Sequence, residues 1–136
     1  MQAKDVMTKK VRLTSPSDRI EKAAKIMEED NVGSLPVAEN DRLVGMITDR
    51  DIAIRGFGKT NIQLIKDVMT EEVYYCFENQ ELQDVVESMG KFHVRRMPVL
   101  NKDKRLVGII SLSDLTKSEK AWKETNEIIS QYYLAV

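Results

Sequence analysis

The chain has 136 residues, 42% of them hydrophobic, and a formal net charge of −1 from 21 Lys and Arg against 22 Asp and Glu. That length suits one compact domain or two small repeats sharing a core, and the balanced charge argues against a dedicated nucleic-acid binder, which carries a basic excess or stripe. No apolar run approaches the roughly 20 residues that span a bilayer, and a single cysteine (Cys76) with a single histidine (His93) excludes an internal disulfide and the usual zinc clusters.

Met1 to Asp5 lacks the apolar core of a secretory leader, so a cytoplasmic location is the expectation. Asp5-Val6-Met7-Thr8 opens the chain, and a first strand is predicted near Val11-Arg12-Leu13. Ile20, Ala23, Ala24 and Met27 follow at helical spacing, with Ser17 or Asp18 as candidate caps. Fully burying each large member of such a stripe is worth roughly 1.5–3 kcal/mol, so the stripe is expected to face the core. A short strand at Leu35-Pro36-Val37, a polar turn at Glu39-Asn40-Asp41 and a second strand over Leu43–Ile47 come next. Being apolar on both faces, that second strand is expected to be well covered. It runs into a short helix over Asp49–Arg55, and Gly56 to Asn61 reads as a linker.

The whole pattern then returns. Asp67-Val68-Met69-Thr70 repeats the opening, and Val73-Tyr74-Tyr75 repeats the first strand. Leu82, Val85, Val86 and Met89 repeat the stripe, with Asn79 as the candidate cap. Met97-Pro98-Val99 and Leu106–Ile110 repeat the two strands, and Leu112–Thr116 repeats the short helix. The offset grows by one residue before Leu106, which places an insertion in the turn at Asn101-Lys102-Asp103. An ordered set of matched blocks with one loop insertion is an internal duplication. The predicted fold is α/β (α+β): two β-α-β-β-α repeats, over residues 1–58 and 59–117, and a helical tail over 118–136. In that tail Trp122, Ile129 and Val136 recur seven apart, with Thr125 and Tyr132 or Tyr133 between them, and Trp122 is expected to anchor the helix.

Two segments carry the candidate chemistry: Gly45-Met46-Ile47-Thr48-Asp49-Arg50-Asp51 and Gly108-Ile109-Ile110-Ser111-Leu112-Ser113-Asp114. Each sets a hydroxyl and, three residues later, a carboxylate at a strand-to-helix junction. One reading is a helix cap with an acidic residue in the first turn. The other is a nucleotide site, in which the helix N-terminus and the hydroxyl face phosphate and the carboxylate accepts from a ribose diol. The glycine upstream and the duplication favour the second reading, since a cap requires neither.

These motifs, with the Val-Met-Thr openings and the Pro-Val pairs, resemble the CBS domain, the repeat named after cystathionine β-synthase. The resemblance covers about residues 3–117, and small stand-alone bacterial proteins with two repeats look most similar. It implies two repeats about a pseudo-twofold axis, with clefts that bind AMP, ADP, ATP or S-adenosylmethionine. It further implies that Asp51 and Asp114 hold ribose while Thr48 and Ser111 lie by the phosphates. It implies a homodimer in the form of a flat disc; the sequence offers Ile52, Ala53 or Leu115 of the short helices and Trp122, Ile129, Tyr132 and Tyr133 of the tail for contact, the alternative being a monomer whose tail folds back over its own repeats.

The repeats differ before the Pro-Val pair: Arg95-Arg96 in the second, Gly33-Ser34 in the first. Arginine offers a planar fork suited to phosphate; the plainer reading is a solvated basic pair. Arg50 is a further candidate for phosphate, or a solvent-facing residue. His93 and Cys76 read as structural, and Glu71-Glu72 are adjacent rather than converging. No nucleophile has an attendant base, so no enzyme activity and no required cofactor are expected. The leading expectation is a regulatory or sensor module for an adenosine-containing ligand, acting on a separate effector protein. The alternative is a ligand-free scaffold or dimerisation protein whose caps are only caps. Membrane and nucleic-acid partners are not expected.

Overall fold

A computed structural model describes residues 1–57 and 63–134. The elements in chain order are α1 (Ala3–Val6), α2 (Ile20–Asp30), β1 (Ser34–Glu39), β2 (Arg42–Thr48) and α3 (Asp49–Asp51), which continues as a wide turn over Ile52–Gly56. A single helical turn over Ile65–Asp67, β3 (Cys76–Phe77), α4 (Leu82–Phe92), β4 (Arg96–Leu100) and β5 (Leu106–Ser111) follow. The chain ends in a tight turn over Leu112–Thr116, α5 (Glu119–Ile129) and a wide turn over Ser130–Leu134. Most of the Gly56–Asn61 linker, the boundary expected after residue 58, and Val136 lie outside the described residues.

The sequence repeats and the packing units are different partitions of the chain. One unit is Met1–Val11 with Tyr74–Val136, and the other is Arg12–Val73. Each unit therefore takes its body from one repeat and its opening segment from the other, and the tail belongs with the second body.

The helix starts explain this exchange. Ser17, Asp18 and Asn79 do not cap the long helices; the preceding residues are Arg19 and Glu81, and neither makes a side-chain cap. Asp18 instead accepts from Ser15 N at 2.8 Å. The first amide of α2, Ile20 N, donates to Gln63 O at 2.9 Å, and that of α4, Leu82 N, donates to Met1 O at 2.8 Å. The opening segments donate in return: Ile65 N to Asp18 O at 2.9 Å and Ala3 N to Gln80 O at 2.9 Å. Both helices end alike, on Asn31 and His93 in the left-handed region (φ 53° and 54°), which satisfies carbonyls of the last turn.

In the Arg12–Val73 unit, β1 and β2 form an antiparallel hairpin with Ser34 opposite Thr48 and Pro36 opposite Met46. Asn40 and Asp41 both have positive φ (51° and 63°), the backbone of the tight two-residue turn that matches strand twist. In the other unit β4 and β5 pair the same way, with Arg96 opposite Ser111 and Pro98 opposite Ile109. The extra residue falls in the turn, as expected; Asn101 Oδ1 accepts from Asp103 N and Arg105 N, each at 3.0 Å.

The first strand of each repeat is displaced from its expected place. Thr14 makes one parallel bridge to Val37, and β3 pairs Cys76 with Val99. Val11 to Leu13 and Val73 to Tyr75 are not strands, and Tyr74 and Tyr75 are exposed. Their β-branched and aromatic side chains favour a strand only when a neighbour covers them.

The cores follow from these placements. Ile20, Ala23, Ile26 and Met27 of α2 are buried with Leu35, Val37, Ile47, Ile65 and Val68. The stripe is rotated from the expected one: Ala24 is exposed and Ile26 takes its place, since the larger side chain gains more from burial. On α4 all four of Leu82, Val85, Val86 and Met89 are buried as expected, with Met97, Val99, Ile110 and Leu115. β5 is covered over Gly108–Ser111, whereas β2 is only half-buried at Leu43, Val44 and Met46.

The tail packs on α4 through Thr125 and Ile129 of the expected face, but not through Trp122. Ser118 Oγ caps α5 by accepting from Ala121 N at 3.3 Å. Ala121, Thr125 and Ile129 are buried, while Trp122 is 40% exposed and does not anchor the helix to this body. The anchors are Tyr132, whose hydroxyl donates to Glu87, and Tyr133, whose hydroxyl donates to Val94 O. Gly90 on α4 makes room: a Cβ there would lie 2.3 Å from Tyr132 Cδ2. Alanine gains about 1 kcal/mol over glycine in a helix interior, but overpacking costs typically about 1–3 kcal/mol. Gly90→Ala is expected to lower stability in the parent and to cost less in a Tyr132→Ala background, where the ring is gone and only the Cβ of residue 132, 2.9 Å from a Cβ at Gly90, remains to be relieved, measured by chemical denaturation. An equal loss in both backgrounds would contradict this packing.

Candidate functional site

Both motifs form at the point where a hairpin's second strand turns into a short helix. Thr48 and Ser111 hold extended backbones (φ −116° and −115°) and act as N-caps. Asp51 N donates to Thr48 Oγ1 at 3.0 Å, and Thr48 N donates to Asp51 Oδ2 at 3.1 Å. Asp114 N donates to Ser111 Oγ at 3.3 Å, and Ser111 N donates to Asp114 Oδ2 at 2.9 Å. Each motif is thus a reciprocal capping box, which satisfies two backbone donors at once.

A third group joins each pair from the opening of the other repeat. Thr8 Oγ1 donates to Asp114 Oδ1 at 3.3 Å, and Thr70 Oγ1 donates to Asp51 Oδ2 at 3.5 Å. Two backbone bonds hold each threonine: Thr8 N to Ile109 O at 2.8 Å with Ile109 N to Thr8 O at 3.0 Å, and Thr70 N to Met46 O at 2.8 Å with Met46 N to Thr70 O at 2.9 Å. The motif glycines permit this approach. A Cβ at Gly45 would lie 2.9 Å from Thr70 O, and one at Gly108 would lie 3.0 Å from Thr8 O and 2.7 Å from Met7 Sδ. The glycine therefore does not separate a ligand site from a cap, as the sequence alone suggested; it serves the docking of the Val-Met-Thr segment.

The backbone offers little to a phosphate. At α3, Asp49 N donates to Gly33 O at 2.9 Å, Arg50 N to Asp49 Oδ1 at 2.8 Å, and Asp51 N to Thr48 Oγ1. In the other unit Leu112 N donates to Arg95 O at 3.1 Å and Asp114 N to Ser111 Oγ. With these amides engaged within the fold, side chains are left to hold an anion here.

Those cations are unequally distributed. Arg96 is half-buried on β4 opposite Ser111, and the preceding Arg95 is exposed. Lys117 Nζ lies 3.1 Å from Asp114 Oδ1, and Ser111 Oγ lies 2.8 Å from Ser113 Oγ. In the Arg12–Val73 unit, Ser34 stands opposite Thr48, and a Cβ at Gly33 would lie 3.1 Å from Asp49 Oδ2. Arg50 is exposed beside Asp49, and Asp51 is half-buried where Asp114 is 6% exposed.

Of the predicted residues, Arg95, Arg96, Ser111 and Asp114 thus belong to one unit, and Thr48, Arg50 and Asp51 to the other. Sequence reasoning missed Thr8, Thr70 and Lys117 as neighbours of the two aspartates. The doubled Val-Met-Thr was the available signal for the threonines; nothing in the repeat marked Lys117.

Other candidates are structural. His93 ends α4 as Asn31 ends α2. Burial pushes the Cys76 thiol up to about 12, so it stays protonated at neutral pH and is a poor nucleophile. Among the described residues no group of three or more His, Cys, Asp or Glu converges as metal ligands. An open groove of about 530 Å³ is lined by Phe77, Glu78, Asn79, Asn101, Lys102 and Asp103. It sits past the Leu100 end of β4, away from the Arg96 end that faces Ser111, and no motif residue lines it.

Comparison with known proteins agrees with the doubled architecture. The CBS domain family matches residues 3–56 and 65–120. The chain is 38% identical over 118 residues to the CBS domain-containing protein YhcV of Bacillus subtilis, covering 85% of this chain and 84% of YhcV. The crystal structure of CBSX2, a CBS-pair protein of Arabidopsis thaliana, in complex with AMP superposes with a TM-score of 0.80 at 25% identity, covering 90% of this chain and 98% of CBSX2. The CBS domain pair of protein MJ0100, in complex with 5-methylthioadenosine and S-adenosyl-L-methionine, superposes with a TM-score of 0.75 at 30% identity, covering 86% and 94%.

Proposed function

The chain belongs to the CBS domain family, with two copies of the domain, and on that premise we propose that it is a regulatory module that binds an adenosine-containing ligand and does not turn it over. The observation that carries this reading is the cluster in the unit formed by Met1–Val11 and Tyr74–Val136. There the Thr8 hydroxyl and the Ser111 amide donate to the Asp114 carboxylate, the Ser111 hydroxyl accepts from Asp114 N, and Arg96 stands opposite Ser111 at the start of β4. The AMP complex of CBSX2 and the methylthioadenosine and S-adenosylmethionine complex of MJ0100 support the ligand class.

In this reading Asp114 and Asp51 accept from ribose hydroxyls. Ser111 and Thr48 lie by the phosphates. Arg95 and Arg96 give the Asp114 site its affinity for phosphate, and Arg50 is the one cation of the predicted set in the other unit. The capping bonds leave the ligand dependent on these side chains. The protein needs no cofactor and acts through a separate effector. Among the described residues no helix is long and apolar enough to cross a membrane. A cytoplasmic location belongs to the proposal, where adenine nucleotides are abundant and the thiol of Cys76 stays reduced.

A ligand at about 100 times its dissociation constant adds about 2.7 kcal/mol of stability. AMP, ATP or S-adenosylmethionine is expected to raise the melting temperature by several degrees, and guanosine and cytidine compounds by less. Asp114→Ala and Arg96→Ala are expected to weaken phosphate-bearing ligands about tenfold to a hundredfold, the usual loss for a charge-assisted hydrogen bond, and more than Asp51→Ala does. Equal shifts with every nucleotide would contradict selectivity for adenosine, and no shift with any would leave the motifs as caps alone and favour the scaffold reading.

The same proposal includes a homodimer. Ile54 (59% exposed) and Phe57 (85% exposed) present apolar surface at the end of the first repeat's short helix. Leu115 is fully buried in its own core and is not available for contact, contrary to the sequence-based expectation; Tyr132 and Tyr133 are engaged with Glu87 and Val94. Closed twofold dimers are the commonest soluble oligomers. Light scattering at micromolar concentration is expected to give twice the chain mass, and Ile54→Asp with Phe57→Asp to give the monomer. A monomer for the parent across the accessible range would remove the dimer.

A further inference from the structure

The two motif aspartates occupy equivalent positions but have different neighbours. Asp51 takes both of its recorded side-chain bonds, from Thr48 N and Thr70 Oγ1, on Oδ2. Asp114 uses Oδ2 for Ser111 N, while Oδ1 accepts from Thr8 Oγ1 at 3.3 Å and from Lys117 Nζ at 3.1 Å. The position of Lys117 is held by Ile54 in the first repeat, so no lysine stands over Asp51 there.

We propose that Lys117 is a specificity-determining residue: it competes with the ribose diol for Asp114 Oδ1, and so makes this site select anionic adenosine ligands over neutral ones. The inference rests on the ligand reading above and adds the charge class of the ligand and the residue that sets it.

A carboxylate oxygen carries two lone-pair sites, and on Oδ1 both are filled. A hydroxyl that binds at Oδ1 must displace one donor there, while Oδ2 keeps its bond from Ser111 N. Thr8 is fixed by its two backbone bonds to Ile109. Lys117 is 70% exposed at the end of a flexible four-carbon stem, while Asp114 is 6% exposed. Ion pairs with an exposed partner are weak and are screened by salt, so the lysine leaves.

Its departure has a charge consequence. The ammonium is freed at a site where Arg96 stands opposite Ser111. A phosphate-bearing ligand supplies that cation with a new partner, so one ion pair replaces another. A neutral nucleoside supplies none, so its binding carries the full loss of the pair. The penalty falls on neutral ligands alone. In the other unit the corresponding site has Ile54 for Lys117, Ser34 for Arg96 and the additional carboxylate of Asp49, so it imposes no such penalty.

Calorimetry with AMP and with adenosine tests this, in an Asp51→Ala background so that only the Asp114 site is read. Lys117→Met is expected to tighten adenosine by up to about fivefold, the range of a weak ion pair, and to leave AMP unchanged or weaker. The preference for AMP over adenosine then falls, and Lys117→Arg retains it. Raising the salt concentration is expected to tighten adenosine binding with Lys117 present and to have no such effect in Lys117→Met. An unchanged preference in Lys117→Met, with Asp114→Ala still losing both ligands, overturns the role of Lys117 and leaves the site standing. Binding of both ligands by Asp114→Ala as in the parent overturns the site itself, and the inference with it.

Discussion

The helices α2 and α4 each begin without a side chain to cap them, and the first amide of each is taken by a backbone carbonyl from the opening segment of the other repeat. Ile20 N on Gln63 O and Leu82 N on Met1 O are the two copies of that interaction. A repeat cut at its own sequence boundary loses that carbonyl and leaves its core open. Ile65 and Val68 close one core and Ala3 enters the other. The same docking lays Met69-Thr70 on β2 and Met7-Thr8 on β5, and only a glycine at 45 or 108 lets the backbones come so close. Thr70 and Thr8 are thereby delivered to Asp51 and Asp114. The helix start, the motif glycine and the third polar group of the site are thus consequences of one exchange.

Duplication supplies two equal frames, and substitution makes them chemically unequal. Both frames hold a hydroxyl, a carboxylate and a threonine in nearly the same bonds. Around them the side chains diverge: Gly33, Ser34, Asp49, Arg50 and Ile54 in one, Arg95, Arg96, Leu112, Ser113 and Lys117 in the other. The first set holds one cation and an added carboxylate; the second holds three cations, of which Lys117 pairs with Asp114 and Arg96 stands opposite Ser111. Since the first amides of the short helices are largely spent within the fold, this side-chain charge decides what each frame attracts. In the proposed function the capping box and the ligand site are the same atoms in two uses, so a ligand would compete with the fold's own bonds for the aspartate.

Much of this was legible in the sequence because it is local or repeated. The hairpins, the Asn40-Asp41 turn, the insertion before Leu106 and the α4 stripe follow from spacing. The equivalence of Arg95-Arg96 with Gly33-Ser34 followed from the offset, and the strand register bears it out. What escaped is long-range. No local pattern shows that Gln63 will replace Ser17 or Asp18 at the start of α2, or that Thr8 will meet Asp114, 106 residues away. Val73-Tyr74-Tyr75 has strand propensity, yet pairing begins at Cys76, where β4 is within reach. Trp122 outranks Ala121 and Thr125 in hydrophobicity, but the helix face is set by the partner it must fit, and Gly90 fits Tyr132. Lys117 was invisible because its partner was assigned to the ligand.

Amide hydrogen exchange of the full chain, with and without saturating AMP, tests most directly whether the exchanged opening segment and the motif beside it form one ligand site. Thr8 and Ile109 share a backbone ladder, and Ser111 and Asp114 share the cap, so ligand occupancy is expected to slow all four amides together. The groove amides at Asn101 and Asp103 are expected to stay unchanged. AMP bound with protection confined to the groove, or with Thr8 exchanging at its ligand-free rate while Asp114 slows, would contradict it.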